Sequence, residues 1–190
     1  MTDIDLDFAD RTAALQHVKH IPASRLENNN LKKHASGVYF CSVPVDPTIN
    51  SCAIPFNEFD TVFKIDFLNV SVYKKIKNED HLNTLINTEP IWELLEHHEC
   101  VEQLFQISQH HSLLVNKKPK SILQLAAVIS LIRPSKQYLI DKPWKEIFEN
   151  IWVPPTDGSY YFKKGHAIAY AMIIVAQLNL IVEELNHDHI

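Results

Sequence analysis

Asp3-Ile4-Asp5-Leu6-Asp7-Phe8, preceded by Thr2, alternates acid and hydrophobe without a break. A period of two puts Asp3, Asp5 and Asp7 on one side of an extended chain and Ile4, Leu6 and Phe8 on the other. The segment therefore predicts a strand with one apolar face. Carboxylates at i, i+2 and i+4 stand about 7 Å apart along such a face and repel one another. Spacing alone leaves two readings open. One is an acidic, solvated chain end. The other is a surface for divalent cations, which relieve the repulsion. Mg²⁺ prefers hard oxygen ligands, and two ions about 3.5–4 Å apart can activate a hydroxyl nucleophile and stabilise a leaving pyrophosphate.

Outward from this strand, Asp10 opens a helical stretch to about Lys19, with Ala13, Ala14, Leu15 and Val18 available as a buried stripe. Glu27-Asn28-Asn29-Asn30 reads as a turn. Val38-Tyr39-Phe40-Cys41 predicts a second strand, a Pro-containing loop runs to about Asn57, and Val62 to Leu68 predicts a third strand. Near Ser71 to Asn78 the texture turns helical. Thr88 is placed to cap a helix with Pro90 in its first turn and Ile91, Trp92, Leu94 and Leu95 behind it. Ser121 and Gln124 have capping-box spacing before the apolar run Leu125 to Ile132, which Pro134 stops. Pro143 to Trp152 predicts a short helix ended by Pro154-Pro155, and Gly165 to about Leu185 the longest one. The expectation is an α+β chain, with a small sheet in residues 1–70 and a helical region in residues 71–190.

Composition narrows the function classes. The chain has 190 residues, 46% hydrophobic and 22% charged, an ordinary mixture for a packed core. Three glycines leave almost no material for a Gly-built phosphate loop, and a net charge of -5 supplies no global field for nucleic acid. Cys41, Cys52 and Cys100 form no CxxC pair, which fits free thiols in a reducing cytoplasm. The start, MTDIDLDFAD, is acidic and unlike a signal peptide. The longest apolar stretch, Ala167 to Val182, is interrupted by Gln177 and Asn179 and falls short of the roughly 20 residues of a membrane span. It predicts a buried helix, and no membrane association is expected.

Eleven histidines raise the question of zinc. His97-His98-Glu99-Cys100 and His110-His111 are the densest groups, but neighbouring helical residues point about 100° apart. No tetrahedral set has structural-zinc spacing. Solvated or capping roles are expected for them, a frayed tail for His187-Asp188-His189, and no zinc. Trp92, Trp144 and Trp152 lie among apolar residues and read as core. Lys74-Lys75-Ile76-Lys77 and Lys117-Lys118-Pro119-Lys120 read as solvated surface or, on a shared face, as a DNA patch.

Six blocks then line up in order. Asp3-Ile4-Asp5-Leu6-Asp7-Phe8 with Asp10-Arg11 resembles the palm motif of family C DNA polymerases, the bacterial DNA polymerase III alpha type. Lys33-His34-Ala35-Ser36-Gly37-Val38 resembles that family's K-H-A-[SAG]-G-V segment, and Lys64-Ile65-Asp66-Phe67-Leu68 its K-[FI]-D-F-L strand. Phe105-Gln106-Ile107 is similar to the F-Q-L entering the fingers. Lys118-Pro119-Lys120-Ser121 with Leu125 to Pro134 resembles the K-P-x-S…L-A-A-V-I-A-L-x-R-P helix. Phe162 to Ala171 resembles F-N-K-S-H-A-x-A-Y-A.

The resemblance implies a reduced, nucleotidyltransferase-like palm with a mixed sheet in residues 1–70 and a helical fingers region in 71–190. It implies nucleotidyl transfer from a dNTP to a primer 3′-hydroxyl, with Asp5, Asp7 and Asp66 as catalytic and metal-binding residues for two Mg²⁺ or Mn²⁺ ions. Asp3 matches the outermost aspartate of the run. Lys64, Arg133, Lys164 and His166 match positions near nucleotide phosphates, although Arg133 and Lys164 read equally as solvated helix-end charges. Lys33 and His34 are candidates for template or primer backbone, or for a structural role in their turn. The implied partners are primer-template DNA and dNTP, with a replication protein to supply missing parts.

The chain departs from the pattern by length. It begins at the aspartate strand, so the family's upstream Gly-Ser motif is expected to be missing, as are thumb, exonuclease-like and clamp-binding regions. The segments between Arg11 and Lys33 and between Pro134 and Phe162 are contracted, and Ser135 stands where the family has Gly. The shortening, with an Asn-, Lys- and Ile-rich texture, suggests a phage-like gene and a bacterial or virus-infected bacterial cytoplasm. The alternative to an active enzyme is a catalytically silent remnant that binds DNA or replisome proteins, or acts as a decoy of the host polymerase.

Overall fold

A computed structural model describes residues 4–59 and 61–187 of the chain. Thr2, Asp3 and the Asp188-His189 end lie outside the described residues. The architecture is α+β, with a small mixed sheet and several helices, and the chain divides into two compact units, residues 1–75 and 76–190.

The first unit carries strands β1 (Ile4–Phe8), β2 (Ile21–Glu27), β3 (Asn30–Tyr39), β4 (Val45–Asp46), β5 (Ser51–Cys52) and β6 (Ile65–Asn69), with helix α1 (Arg11–Gln16) after β1. Four of the strands form a sheet in the order β1-β6-β3-β2, while β4 and β5 pair separately. β1 runs parallel to β6; the other two pairings are antiparallel. Asp10 caps α1 by accepting from the Ala13 amide at 3.1 Å. The helix ends at Gln16, shorter than its apolar pattern predicts, and Val18 is exposed rather than part of a buried stripe.

β2 and β3 form a hairpin that the sequence pattern only half anticipates. The turn falls where expected, with Asn28 at φ 51° and Asn29 at φ 60°. Positive φ at both central residues matches the twist of the flanking strands, and asparagine tolerates it well. β2 itself carries no alternation and contains Pro22, and the first half of β3 is polar, so neither announces itself as a strand. Proline is tolerated there because β2 is an edge strand.

Two small cores flank the sheet. Leu15, Val38 and Phe67 pack with Phe8, Ala14 and Ile65 on one face, where the Phe8 and Phe67 rings stack 4.6 Å apart. Tyr39, Ala23, Val43 and Cys52 pack with Ile54, Phe56 and Phe59 in the other core. Alternation along β3 thus sends Val38 one way and Gly37 and Tyr39 the other. The apolar face predicted for β1 is only partly covered: Phe8 is packed, but Ile4 and Leu6 remain 41% and 40% exposed. β1 lies at the sheet edge, and α1 reaches only its Phe8 end.

The second unit contains α2 (Glu79–Asn87), α3 (His98–Val101), α4 (His111–Lys117), α5 (Ile122–Leu131), α6 (Trp144–Asn150) and α7 (Lys164–His187), with 3₁₀ segments at Trp92–Glu96 and Pro134–Leu139. Thr88 does not start a helix. It ends α2, which Asn78 caps by accepting from the His81 amide at 2.8 Å; Pro90 follows the stop, as it commonly does. Ser121 caps α5 as its spacing predicts, accepting from the Gln124 amide at 3.2 Å, while the Gln124 side chain accepts from the Lys120 amide at 2.7 Å.

α5 is buried along Leu125 to Leu131 and packs against α7, with Ile129, Ala171, Ile174 and Leu178 in a shared core. α7 is the one helix among the described residues long and apolar enough to cross a membrane. Its two polar interruptions act as clamps. Gln177 accepts from the Phe105 amide at 2.8 Å and donates to the Gln103 carbonyl at 3.1 Å. Asn179 donates to the Leu85 and Thr88 carbonyls at 2.8 and 2.9 Å, satisfying the open end of α2.

Lys136 is a buried cation of this unit, 2% exposed. Its ammonium donates to the Asn150 and Val153 carbonyls at 2.9 and 2.7 Å, closing the C-terminal end of α6. Lys136→Met keeps the stem and removes both donors. It is expected to cost about 2 kcal/mol in urea unfolding followed by tryptophan fluorescence, the scale of hydrogen bonds from a charged group. All three tryptophans belong to this unit, so their emission reports on it.

Candidate functional site

The β1–β6 register decides what the acidic strand meets. Asp5 is paired directly with Asp66, and Asp7 with Leu68. Registered residues on parallel neighbours point to the same face, and the strands lie about 4.8 Å apart. Asp5, Asp7 and Asp66 therefore share one face of the sheet. On the other side of β6, Gly37 of β3 is paired with Asp66. Asp66 is buried, Asp5 half-buried and Asp7 exposed. The Tyr73 hydroxyl donates to Asp7 Oδ2 at 3.3 Å; burial first, then the Asp7 charge, pushes its pKa up to about 12.

Asp66 is gripped through both carboxylate oxygens. Ser36 Oγ donates to Oδ1 at 2.7 Å, and the Lys64 ammonium donates to Oδ2. Lys64 is as buried as its partner, at 8% exposure, and its Nζ lies 5.2 Å from the centroid of the Phe56 ring. Position 37 has to be small for this to happen: a Cβ there would come within 2.8 Å of Lys64 Cδ.

His34 completes the cluster from inside. Its Nδ1 accepts from the Gly37 and Ser36 amides at 2.8 and 3.2 Å and lies 3.7 Å from Asp66 Oδ1. A nitrogen accepting two amide protons carries none itself, so the neutral ring holds its proton on Nε2. Burial pushes the His34 pKa below the usual histidine value, the Lys64 charge pushes the same way, and Asp66 opposes them. Arg11 reaches in from α1, donating from Nη2 to the Ser36 carbonyl at 3.3 Å, while its amide donates to Asn69 Oδ1 at 3.0 Å. Lys33 is exposed on β3.

The nucleotide candidates of the helical unit sit on aromatic rings. The Arg133 guanidinium lies 4.6 Å from the centroid of Phe162 and donates to Gln106 Oε1 at 3.0 Å. His166 meets the edge of the same ring at 6.3 Å, so Phe162 brings Arg133 and His166 together. Lys164, in the first turn of α7, holds its ammonium 5.1 Å from the centroid of Trp152. Of the basic runs, Lys74 pairs with Asp10 at 3.3 Å, Lys118 with Glu96 at 2.8 Å, and Lys117 bonds the Lys142 carbonyl at 3.0 Å.

Among the described residues, no three His, Cys, Asp or Glu side chains are grouped so as to hold a metal ion. This covers both the histidine doublets and the arrangement of Asp5, Asp7 and Asp66, whose third member is engaged by Lys64. Sequence reasoning missed Ser36, Gly37, Arg11 and Tyr73. The first two sit inside the block Lys33 to Val38, and Arg11 follows the aspartate run, so their positions were visible but not their partners. Tyr73 carries no signal in the sequence. A scan against protein-family models matches none, and a search of curated proteins finds no significant match.

Proposed function

We propose that the chain is a minimal nucleotidyltransferase of the DNA polymerase III alpha kind, joining a dNTP to a primer 3′-hydroxyl on a reduced palm. The observation that carries this reading is the register that pairs Asp5 with Asp66 on parallel strands, with Asp7 on the same face. Two carboxylates side by side form a donor set of the kind Mg²⁺ or Mn²⁺ takes. For Asp5, Asp7 and Asp66 to hold the ions, Lys64 would have to release Asp66; the ions, when bound, would activate the hydroxyl and stabilise the leaving pyrophosphate.

The chain's own groups play distinct parts in this reading. Lys64, a buried ammonium on the acidic face, neutralises Asp66 before substrate arrives and is then available to a phosphate oxygen. Arg133 and His166, held on Phe162, and Lys164 in the first turn of α7 belong to the second unit and are, on the resemblance, the candidates there for nucleotide phosphates. Primer-template DNA is the second substrate, with grip supplied by a replication protein, because a net charge of -5 favours weak binding to duplex.

A second reading rests on the Lys64–Asp66 contact. An ammonium already occupies the carboxylate that a metal would need, as in a catalytically silent remnant that binds DNA or replication proteins. Thermal melting separates the two. Under the enzymatic reading, Mg²⁺ or Mn²⁺ raises the melting temperature through native-state binding, and Asp5→Asn with Asp7→Asn removes the rise. Primer extension by the unmodified chain, absent in the double variant, completes the case. A melting curve indifferent to both ions, together with no extension, leaves the silent remnant.

A further inference from the structure

The four-stranded sheet has two edges, and they are finished differently. The β2 edge is guarded. It carries Pro22, its register with β3 shifts between Pro22 and Ser24, and Ser24 bridges to Pro55. Proline, irregular pairing and a covering loop are common means by which a sheet edge refuses another strand. β1 has none of these. It keeps a continuous register with β6 from Ile4 to Phe8 and contains neither proline nor lysine. Among the described residues no strand pairs with its other edge.

The apolar face shows that the missing neighbour lies beside the sheet rather than on top of it. Exposure falls along each row from β1 inward. Ile4 is 41% exposed, its registered partner Ile65 is half-buried, and Val38 beyond it is fully buried. Leu6 is 40% exposed and its partner Phe67 only 6%. The rings of Phe8 and Phe40, with centroids 4.6 and 5.6 Å away, cover Phe67. A missing layer would bare the middle strands. A missing lateral neighbour bares the outermost row, which is the pattern found.

We propose that the open edge of β1 takes an extended segment of another protein, added to the sheet as a further strand, in which apolar residues alternate with lysine or arginine. In strand addition the main-chain hydrogen bonds supply affinity and the alternate side chains supply specificity. On one face the apolar residues of the segment cover Ile4 and Leu6. On the other its basic residues stand opposite Asp5 and Asp7, a favourable cross-strand pairing. The same acids exclude a second copy of β1 as the occupant, since two acidic strands side by side set like charges against each other. The β2 edge of a second copy is guarded as described, and its Arg25 and Glu27 already pair with each other at 3.3 Å. The inference goes beyond the catalytic reading and requires no metal ion.

The test is fluorescence anisotropy of a short labelled peptide that alternates lysine with valine, titrated with the full-length chain. Controls are the same residues in two blocks, a peptide alternating glutamate with valine, and the alternating peptide N-methylated either at its lysines or at its valines. Successive amides of a strand point to opposite edges, so only one of the two methylated forms loses its bonds to β1. The expected result is saturable binding of the alternating peptide, with slowed amide hydrogen exchange in residues 4–8. Binding is at least about tenfold weaker for the block and glutamate peptides, for one methylated form, and for the Leu6→Lys variant, which sets a charge in the apolar row. Equal binding by the block peptide, or by both methylated forms, reduces the contact to charge adhesion and overturns the proposal. So does the absence of saturable binding. A dimer in sedimentation equilibrium that Leu6→Lys dissociates gives the edge to a second copy and overturns it as well. Should Leu6→Lys fail to fold, the two methylated peptides, which leave the protein unaltered, decide the comparison.

Discussion

Lys64→Met is expected to destabilise the first unit by about 3–5 kcal/mol at neutral pH, the usual cost of removing one partner of a buried ion pair. Both members are 8% exposed. With methionine in place the stem still packs, but Asp66 keeps its charge with only the Ser36 hydroxyl to answer it, and the low-dielectric surroundings make that residual charge costly. The matching control removes both charges: Lys64→Met with Asp66→Leu should recover most of the loss, since an apolar pair of similar volume is often no worse than the ion pair. Urea unfolding followed by far-UV circular dichroism is the suitable measurement, because tryptophan emission reports only on the second unit. A loss under about 1 kcal/mol would show the pair to be no stronger than a surface one. Adding Mg²⁺ to the Lys64→Met variant then asks whether a divalent ion takes over the vacated oxygen: under the metal reading, the variant gains more from Mg²⁺ than the unmodified chain does.

What the sequence makes legible follows from which forces act locally. The acidic strand is readable because its alternation is complete, and the α5 cap because Ser121 and Gln124 meet within one turn. β2 is not readable. Its identity comes from pairing with β3 across the Asn28-Asn29 turn, a partner effect that Pro22 and a mixed pattern conceal. Thr88 misleads for a related reason: a residue able to begin a helix also ends one, and here its carbonyl accepts from Asn179, 91 residues away. The interruptions Gln177 and Asn179 do carry their meaning openly. Polar residues on an apolar helix predict partners, and both find backbone groups on neighbouring segments.

The candidate site divides in the same way. Period two placed Asp5 and Asp7 on one face from the sequence alone, whereas the meeting with Asp66 depends on a parallel pairing across some sixty residues that no local pattern encodes. Resemblance supplied the aspartates and lysine as a set, but it said nothing of how they are held. His34 and Arg11 act on backbone groups, the first by accepting from amides and the second by donating to a carbonyl, and such roles leave little trace in residue type. His34 shows the gap most clearly. The sequence left open a contact to nucleic-acid backbone or a structural role in its turn, and in the structure its Nδ1 accepts from the Ser36 and Gly37 amides of that turn, with the proton on the opposite nitrogen.

Gly37→Ala is expected to cost about 3 kcal/mol, from overpacking of a close contact together with loss of the Lys64 ion pair. The glycine is not there for its backbone. Among the described glycines only Gly158 has positive φ, so an L-residue fits the conformation at position 37. The constraint is space. A Cβ would stand 2.8 Å from Lys64 Cδ, 3.1 Å from Ala23 Cβ and 3.1 Å from His34 Nδ1. Ala23 is fully buried in β2 and cannot retreat, and His34 is tied to two amides, so the lysine stem must move. Moving it pulls the ammonium from Asp66. This predicts strong coupling: with Lys64→Ala already in place, Gly37→Ala should cost at least about 1 kcal/mol less than it does alone, the scale of interaction between touching residues. A double-mutant cycle in urea, followed by far-UV circular dichroism, measures it. Additive costs would mean that the clash is absorbed by Ala23 and His34 instead, and that the glycine serves the β2–β3 contact rather than the passage of Lys64 to Asp66.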